Sequence, residues 1–242
     1  MTGLIEFLPA VGQGLLTTAS IAVLSIVGCA LVAIVLGVAR RSRNQVVKLA
    51  AGSIVELLRG ASVLIYLFWV YYALPLVPGL PHFSPLVVSI VVLSLVGGAY
   101  GAEIVVSGLQ AVPRGQAEAS QALGLSKFLT LTRIVLPQAL TQIVPAFASL
   151  AIDMVKWTSV VSFVGVQDLL SVANTIRTIT YSTVGVYVGV ALLYFLLCLL
   201  TSWFFQRIEH SLPLNRALRA ASTPDARSCP ATLVLKSQGS PP

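Results

Sequence analysis

EIVVSGLQAVPRGQAEASQALGLSKFLTLTRIVLPQ, residues Glu103 to Gln138, is a polar and basic island in an otherwise apolar chain. Its order of residues predicts two helices with a hinge between them. Pro113 suits a first helical turn, where a missing N–H leaves nothing unsatisfied. Helix formers follow to Leu123, with Ala111, Ala117, Ala119 and Ala122 recurring. Gly124 stands where a helix end needs a left-handed backbone. Ser126 can cap a second helix through Ile134, and Pro137 stops it. Ala122, Leu123 and Leu125 leave an apolar edge on this elbow. Two readings are open: a segment that docks into a groove, or an amphipathic helix resting on a bilayer surface.

Outward from the island, composition sets the class. Of 242 residues, 57% are hydrophobic and 10% charged, and mean hydropathy is +0.92. A soluble domain carries about 25% charge. An all-α integral membrane protein is therefore expected, and the net charge of +7 reads as a topology signal before any thought of nucleic acid. No patch of interleaved aromatic and basic residues suggests a nucleic-acid partner. Cys29, Cys198 and Cys229 lie far apart, without metal spacing or a disulfide framework. MTGLIEFLPA has no basic n-region, so no removable signal peptide is expected.

Thr17 to Ala39 is free of charge and long enough to span a bilayer, which needs about 20 residues. Arg40, Arg41, Arg43 and Lys48 follow, placing residues 40–52 on the cytoplasmic side and the N-terminus with Glu6 outside. A second span starts near Ile54 and continues as GASVLIYLFWVYYALP. Glu56 and Arg59 lie one turn apart and can pair at the interface. Trp69, Tyr71 and Tyr72 read as an aromatic belt at its far end. LVPGLPHFSP is a turn-rich outer loop in which His82 has no second ligand beside it. The third span runs from Pro85 to Ser107, with Gly97, Gly98 and Gly101 as a close-packing face. A fourth starts near Ala139 and carries Pro145, Asp153 and Lys156. A more polar outer segment with Asp168 and Arg177 leads to the last span, Thr183 to Phe205, where Gly185 and Gly189 form a second small-residue face. Arg207, Arg216, Arg219, Arg227 and Lys236 follow. The count is about five spans, N-terminus out and C-terminus in. Residues 1–207 form the membrane domain, with the elbow region at 103–138. The tail at 208–242 has too little apolar content to fold and is expected to be disordered.

Glu103, Asp153 and Lys156 are the ionisable residues at or near membrane depth, where charge is costly and usually faces a bundle interior or a wet path. Asp153 and Lys156 are three apart on one helix, within salt-bridge reach. They read either as a site for a zwitterion or as a self-satisfied pair, with Lys156 able to snorkel to the interface. Glu103 reads equally as an interfacial structural residue. No GxxxxGK[ST] phosphate cradle occurs, nor a nucleophile elbow or an HExxH pair. Catalysis has no support.

With these residues in view, EASQALGLSKFLTLTRIVLPQAL resembles the EAA loop of bacterial ABC importer permeases. Glu118, Ala119 and Ser120 stand at the EAA start, followed by Gly124, Ile134, Leu136 and Pro137. VELLRGASVLIYLFWVYYALP, GAYGAEIVVSGLQAVPRGQ and KWTSVVSFVGV are similar to the polar-amino-acid permeases, the histidine, glutamine, arginine and opine group. The resemblance runs from Gly14 to Arg207. It implies a type I importer permease fold in the bacterial inner membrane. It also implies partners: a second permease subunit, same or homologous, two cytoplasmic ATPases, and a periplasmic or lipid-anchored solute-binding protein. ATP and Mg would sit on the ATPases, with membrane lipid around this chain and no cofactor bound by it. Glu118, Ala119, Ser120, Gly124, Leu125, Ile134 and Pro137 would couple to the ATPase.

Three departures from the family pattern stand out, the first a mild change on a packed helix and the other two bearing on the substrate path. Ser120 replaces the usual Ala. The usual Lys-Asp-Thr-Ser is here Lys156-Trp157-Thr158-Ser159, and Asp153 stands one turn earlier where small or amide residues are usual. A reshaped path is implied, lined by Asp153, Lys156, Trp157 and Glu103. The stretch RGASVL…LFWVYYALP is most similar to permeases for ectoine and hydroxyectoine, and the π face of Trp157 suits a delocalised cation. The competing classes are a self-contained secondary carrier or channel for a small zwitterion, and a membrane enzyme or scaffold. The absence of an internal repeat weighs against the carrier.

Overall fold

The computed structural model describes residues 7–77 and 82–211. The tail expected to be disordered from residue 208 begins in helix, since the last helix runs to Ser211; the rest of that tail, and Glu6, lie outside the described residues. Within them the chain is helical throughout, with no strand. Helix α1 spans Leu8–Arg40 and α2 spans Gln45–Gly60. Helix α3, Val63–Phe68, runs on through a π turn at Trp69–Ala73 and a 3-10 turn at Leu74–Leu76. Helix α4 spans Pro85–Gln110, and the elbow follows as α5, Arg114–Ala122, and α6, Lys127–Thr130. Helix α7 spans Leu136–Trp157, then come α8, Leu169–Thr180, and α9, Thr183–Ser211.

Four helical stretches are long and apolar enough to cross a membrane: α1, α4, the continuous run Lys127–Val164, and α9. A fifth crossing arises if α2 and the α3 segment count as one span, which is bent by 99°. The expected number of spans holds, but the second one is not a straight rod beginning near Ile54. Helix α2 already starts at Gln45, where Asn44 Oδ1 accepts the Val46 N–H at 3.0 Å. Gly60 ends it and Ala61 is fully extended (φ −129°, ψ 160°). Ser62 then opens a new helix by accepting the Leu64 N–H at 3.4 Å. Part of the basic segment 40–52 is therefore helical.

Helices α1 and α4 form the most extensive pairing in the molecule. They run parallel, because the contacts advance together along both chains. A Cβ on Gly28 would meet Ser94 at 2.3 Å, one on Gly98 would meet Val32 at 2.4 Å, and one on Gly37 would meet Val105 at 2.9 Å. Helix α7 runs antiparallel to α4 and beside α1: Gly97 faces Met154 at 2.9 Å and Gly108 faces Ile143 at 2.3 Å. The glycines of α4 thus serve contacts inside one subunit, where small residues let backbones approach in lipid. Ile21, Cys29, Leu67, Leu93, Val96 and Met154 fill the core between these helices. Helix α9 differs, since none of its residues is buried.

Pro137 does not stop a helix as its ring would suggest. Leu131–Val135 form a π turn in which the Leu136 N–H reaches back to the Leu131 carbonyl. A proline in an α-helix lacks one donor and clashes with the carbonyl four residues back. One wider turn takes up that conflict, so the chain passes from α6 into α7 as one run. The first π turn, Trp69–Ala73, likewise lies just ahead of a proline, Pro75.

Candidate functional site

The elbow follows from local rules. Helix α5 closes on Gly124, whose φ is +78°. The Leu125 N–H reaches the Ser120 carbonyl at 3.1 Å and the Gly124 N–H reaches the Gln121 carbonyl at 3.0 Å. This pair of bonds is the Schellman closure, which satisfies the last carbonyls and turns the chain sharply. Ser126 opens α6 by accepting the Leu129 N–H at 3.3 Å. Across the bend the Ser120 hydroxyl donates to Thr130 Oγ1 at 3.0 Å, and both side chains are buried. The serine that departs from the family pattern thus ties the two short helices together.

Among the residues the elbow shows outward are two large apolar side chains. Leu123 is 81% exposed and Phe128 75% exposed, with Glu118 and Ala119 also on the surface. Leu125 is half-buried, Ile134 sits in the π turn and Pro137 opens α7. Sequence reasoning missed Phe128, although the Ser126 cap places it in the first turn, where a short helix buries little.

The expected path residues fall into two groups. Lys156 Nζ donates to Asp153 Oδ1 at 3.0 Å, and both side chains are more than half exposed on this protomer. Their neighbour Met154 packs on Gly97, near the middle of α4, so the pair stands well inside the span. Trp157 does not wall the pair from solvent. It turns the other way, 5.8 Å from the Tyr100 ring and against the core, because residues 156 and 157 lie about 100° apart around a helix.

Glu103 joins a different cluster. Its carboxylate accepts from Arg59 at 3.1 Å and from Arg40, which gathers the ends of α1, α2 and α4 on one acid. Arg59 also lies over the Tyr100 ring, 5.1 Å from its centre. The expected Glu56–Arg59 pair is absent: Arg59 turns inward to Glu103, a partly buried acid that two guanidiniums satisfy, and leaves Glu56 at the surface. Trp157 reaches Glu103 through Tyr100 and Arg59, and the ion pairs of Glu103 do not include Lys156.

At the opposite end of the bundle, Asp168 is fully buried and was not singled out by sequence beyond its polarity. Its Oδ1 accepts the Ser171 N–H at 2.9 Å, capping α8. The Leu169 N–H bonds Thr18 Oγ1 at 3.0 Å, which joins α8 to α1. The signal was legible as an Asp ahead of an apolar run, the ordinary N-cap pattern. No grouping of His, Cys, Asp and Glu suited to a metal occurs among the described residues, where His82 is exposed.

Comparison with known proteins gives the same picture. The chain is 36% identical over 218 residues to the probable amino-acid ABC transporter permease protein y4tF of Sinorhizobium fredii, covering 88% of this chain and 92% of the relative. It is 29% identical over 216 residues to the L-cystine transport system permease protein TcyL of Bacillus subtilis, covering 87% and 90%. Among solved structures, one described as an amino acid ABC transporter with histidines superposes with a TM-score of 0.80 at 28% identity, over 86% of this chain and 97% of that one. Residues 30–212 match the family model itself, and the chain belongs to the binding-protein-dependent transport system inner membrane components, a family of multi-pass permease subunits.

Proposed function

We propose that this chain is the permease subunit of an ATP-driven importer for a polar amino acid or an amino-acid-derived zwitterion, the ectoine kind included. The elbow carries the reading. It is a rigid, hydrogen-bonded bend that leaves Leu123 and Phe128 exposed, and an apolar pair on a rigid bend suits a cleft on a partner. The partner is an ATPase that holds ATP and Mg, since this chain has no phosphate cradle. Closing of the ATPases moves the elbow, and α7 carries that motion to Asp153 and Lys156, because α6 and α7 are one run. A solute-binding protein delivers substrate at the far side. The relatives named for amino-acid and cystine transport support the substrate class. Two opposite charges 3.0 Å apart suit a zwitterion's carboxylate and ammonium.

The test is association with the partner ATPase. Leu123→Asp and Phe128→Asp put charge on the docking pair and should each strip most of the ATPase from the purified complex, with membrane insertion unchanged. Full retention of the ATPase by both variants would remove the elbow from the contact.

A further inference from the structure

The ends of α1, α2 and α4 enclose an open cleft of about 880 Å³ that contains none of the exposed elbow residues or the Asp153–Lys156 pair. One wall is basic: Arg41 and Lys48 are exposed, and neither has an ion-pair partner among the described residues. Arg40 also borders the cleft, but Glu103 holds it. The other wall is apolar, with Leu49 74% exposed, Leu57 69% exposed, and Val106 of α4 behind them. Gly52 opens the floor between these walls, since a Cβ there would meet nothing within 4 Å. Glu56 lies at the end away from Lys48, about 12 Å along the helix from it.

We propose that this cleft binds an anionic phospholipid, with the phosphodiester between Arg41 and Lys48 and an acyl chain along Leu49, Leu57 and Val106. Two unpaired cations attract an anion, and exposed leucines beside them suit a tail at the boundary of head groups and hydrocarbon. Basic pockets between spans at a membrane surface recognise lipid head groups in this way. Glu56 favours a head group without a second anion at that end and keeps the phosphate at the basic mouth. The inference rests on the membrane placement of the chain and not on what it transports.

The experiment titrates purified full-length protein in detergent with phosphatidylglycerol, phosphatidylcholine and phosphatidylethanolamine of identical acyl chains, read by native mass spectrometry. Glycerophosphoglycerol and inorganic phosphate are run as tail-free probes. Phosphatidylglycerol should bind in preference to the other two lipids, and the tail-free anions should not bind at the same concentrations. Arg41→Gln and Lys48→Gln should each weaken binding about fivefold, and the double variant about 25-fold. The charge-keeping pair Arg41→Lys and Lys48→Arg should retain it, and Glu56→Gln should leave it equal or tighter. Thermal midpoints identical to the parent show that the variants are folded. Equal binding of all three lipids, or no change in the double variant, overturns the proposal. Tail-free anions binding as well as the lipid would make it a simple anion site. A preference for phosphatidylethanolamine that Glu56→Gln abolishes would also overturn it. So would loss of the partner ATPase, and not of lipid, in the double variant.

Discussion

Asp153 and Lys156 are held together on a turn of α7 that this protomer leaves uncovered. Charge at mid-span is costly even when paired, so the presence of this pair there points to use. Asp153→Asn should lower uptake per folded molecule about tenfold or more, because one charge-assisted contact to the solute is lost. The purely structural alternative expects single changes to reduce the amount of folded protein and the double neutral variant, Asp153→Asn with Lys156→Gln, to restore it. Uptake and folded protein measured together separate the two, and normal uptake in all three variants would take the pair out of the path. Asp168 makes a contrasting case. Burial pushes its carboxyl from an ordinary 3.8 up to about 6. Between those values the folded protein takes up a proton that the unfolded chain does not, so stability falls as pH rises through this window and stays low above it. Asn caps a helix as well as Asp does. Asp168→Asn should therefore flatten the pH dependence of the thermal midpoint between about pH 4 and 6 and leave the protein at least as stable at pH 7. A midpoint several degrees lower at pH 7 would show that the charge itself is needed.

At the scale of elements, the elbow depends on one dihedral. A Cβ on Gly124 would meet nothing within 4 Å, so the constraint is the backbone and not space. A left-handed residue with a side chain costs about 1–2 kcal/mol, and β-branching adds to it. Gly124→Val should weaken ATPase association and uptake while leaving insertion intact, whereas Gly124→Asn, which tolerates this conformation, should be mild. Full association and transport by the valine variant would show that the bend is not what the partner reads. This element was legible in the sequence because its signals are local: a glycine after a helix, a serine before the next. The ends of its neighbours were not. Pro137 reads as a stop, and only the π turn ahead of it lets the helix pass. Gly60 and Ser62 carried the break between α2 and α3, yet hydrophobicity running across them masked it. Arg59 could be assigned to Glu56 by helix spacing, while its actual partner lies on another helix at Glu103. Pairings across helices depend on packing, which spacing along one helix does not report.

For the whole molecule, the missing part is a cover for α9. It is 29 residues long with none of them buried, and the Gly189 face opens on empty space. Lipid can cover such a helix, and so can a second permease subunit, which would also face the exposed turn of α7 onto a shared path. The chain is expected to conduct only when driven by its partners. Uptake of a radiolabelled polar amino acid and of ectoine is to be measured in sealed vesicles, for the chain alone and for the chain with its ATPase, its solute-binding protein and ATP. No uptake by the chain alone is expected under a proton or sodium gradient, and ATP-dependent uptake of one of these solutes is expected once all partners are present. Gradient-driven uptake by the chain alone, with no gain from ATPase and ATP, would contradict it and make the protein a carrier in its own right.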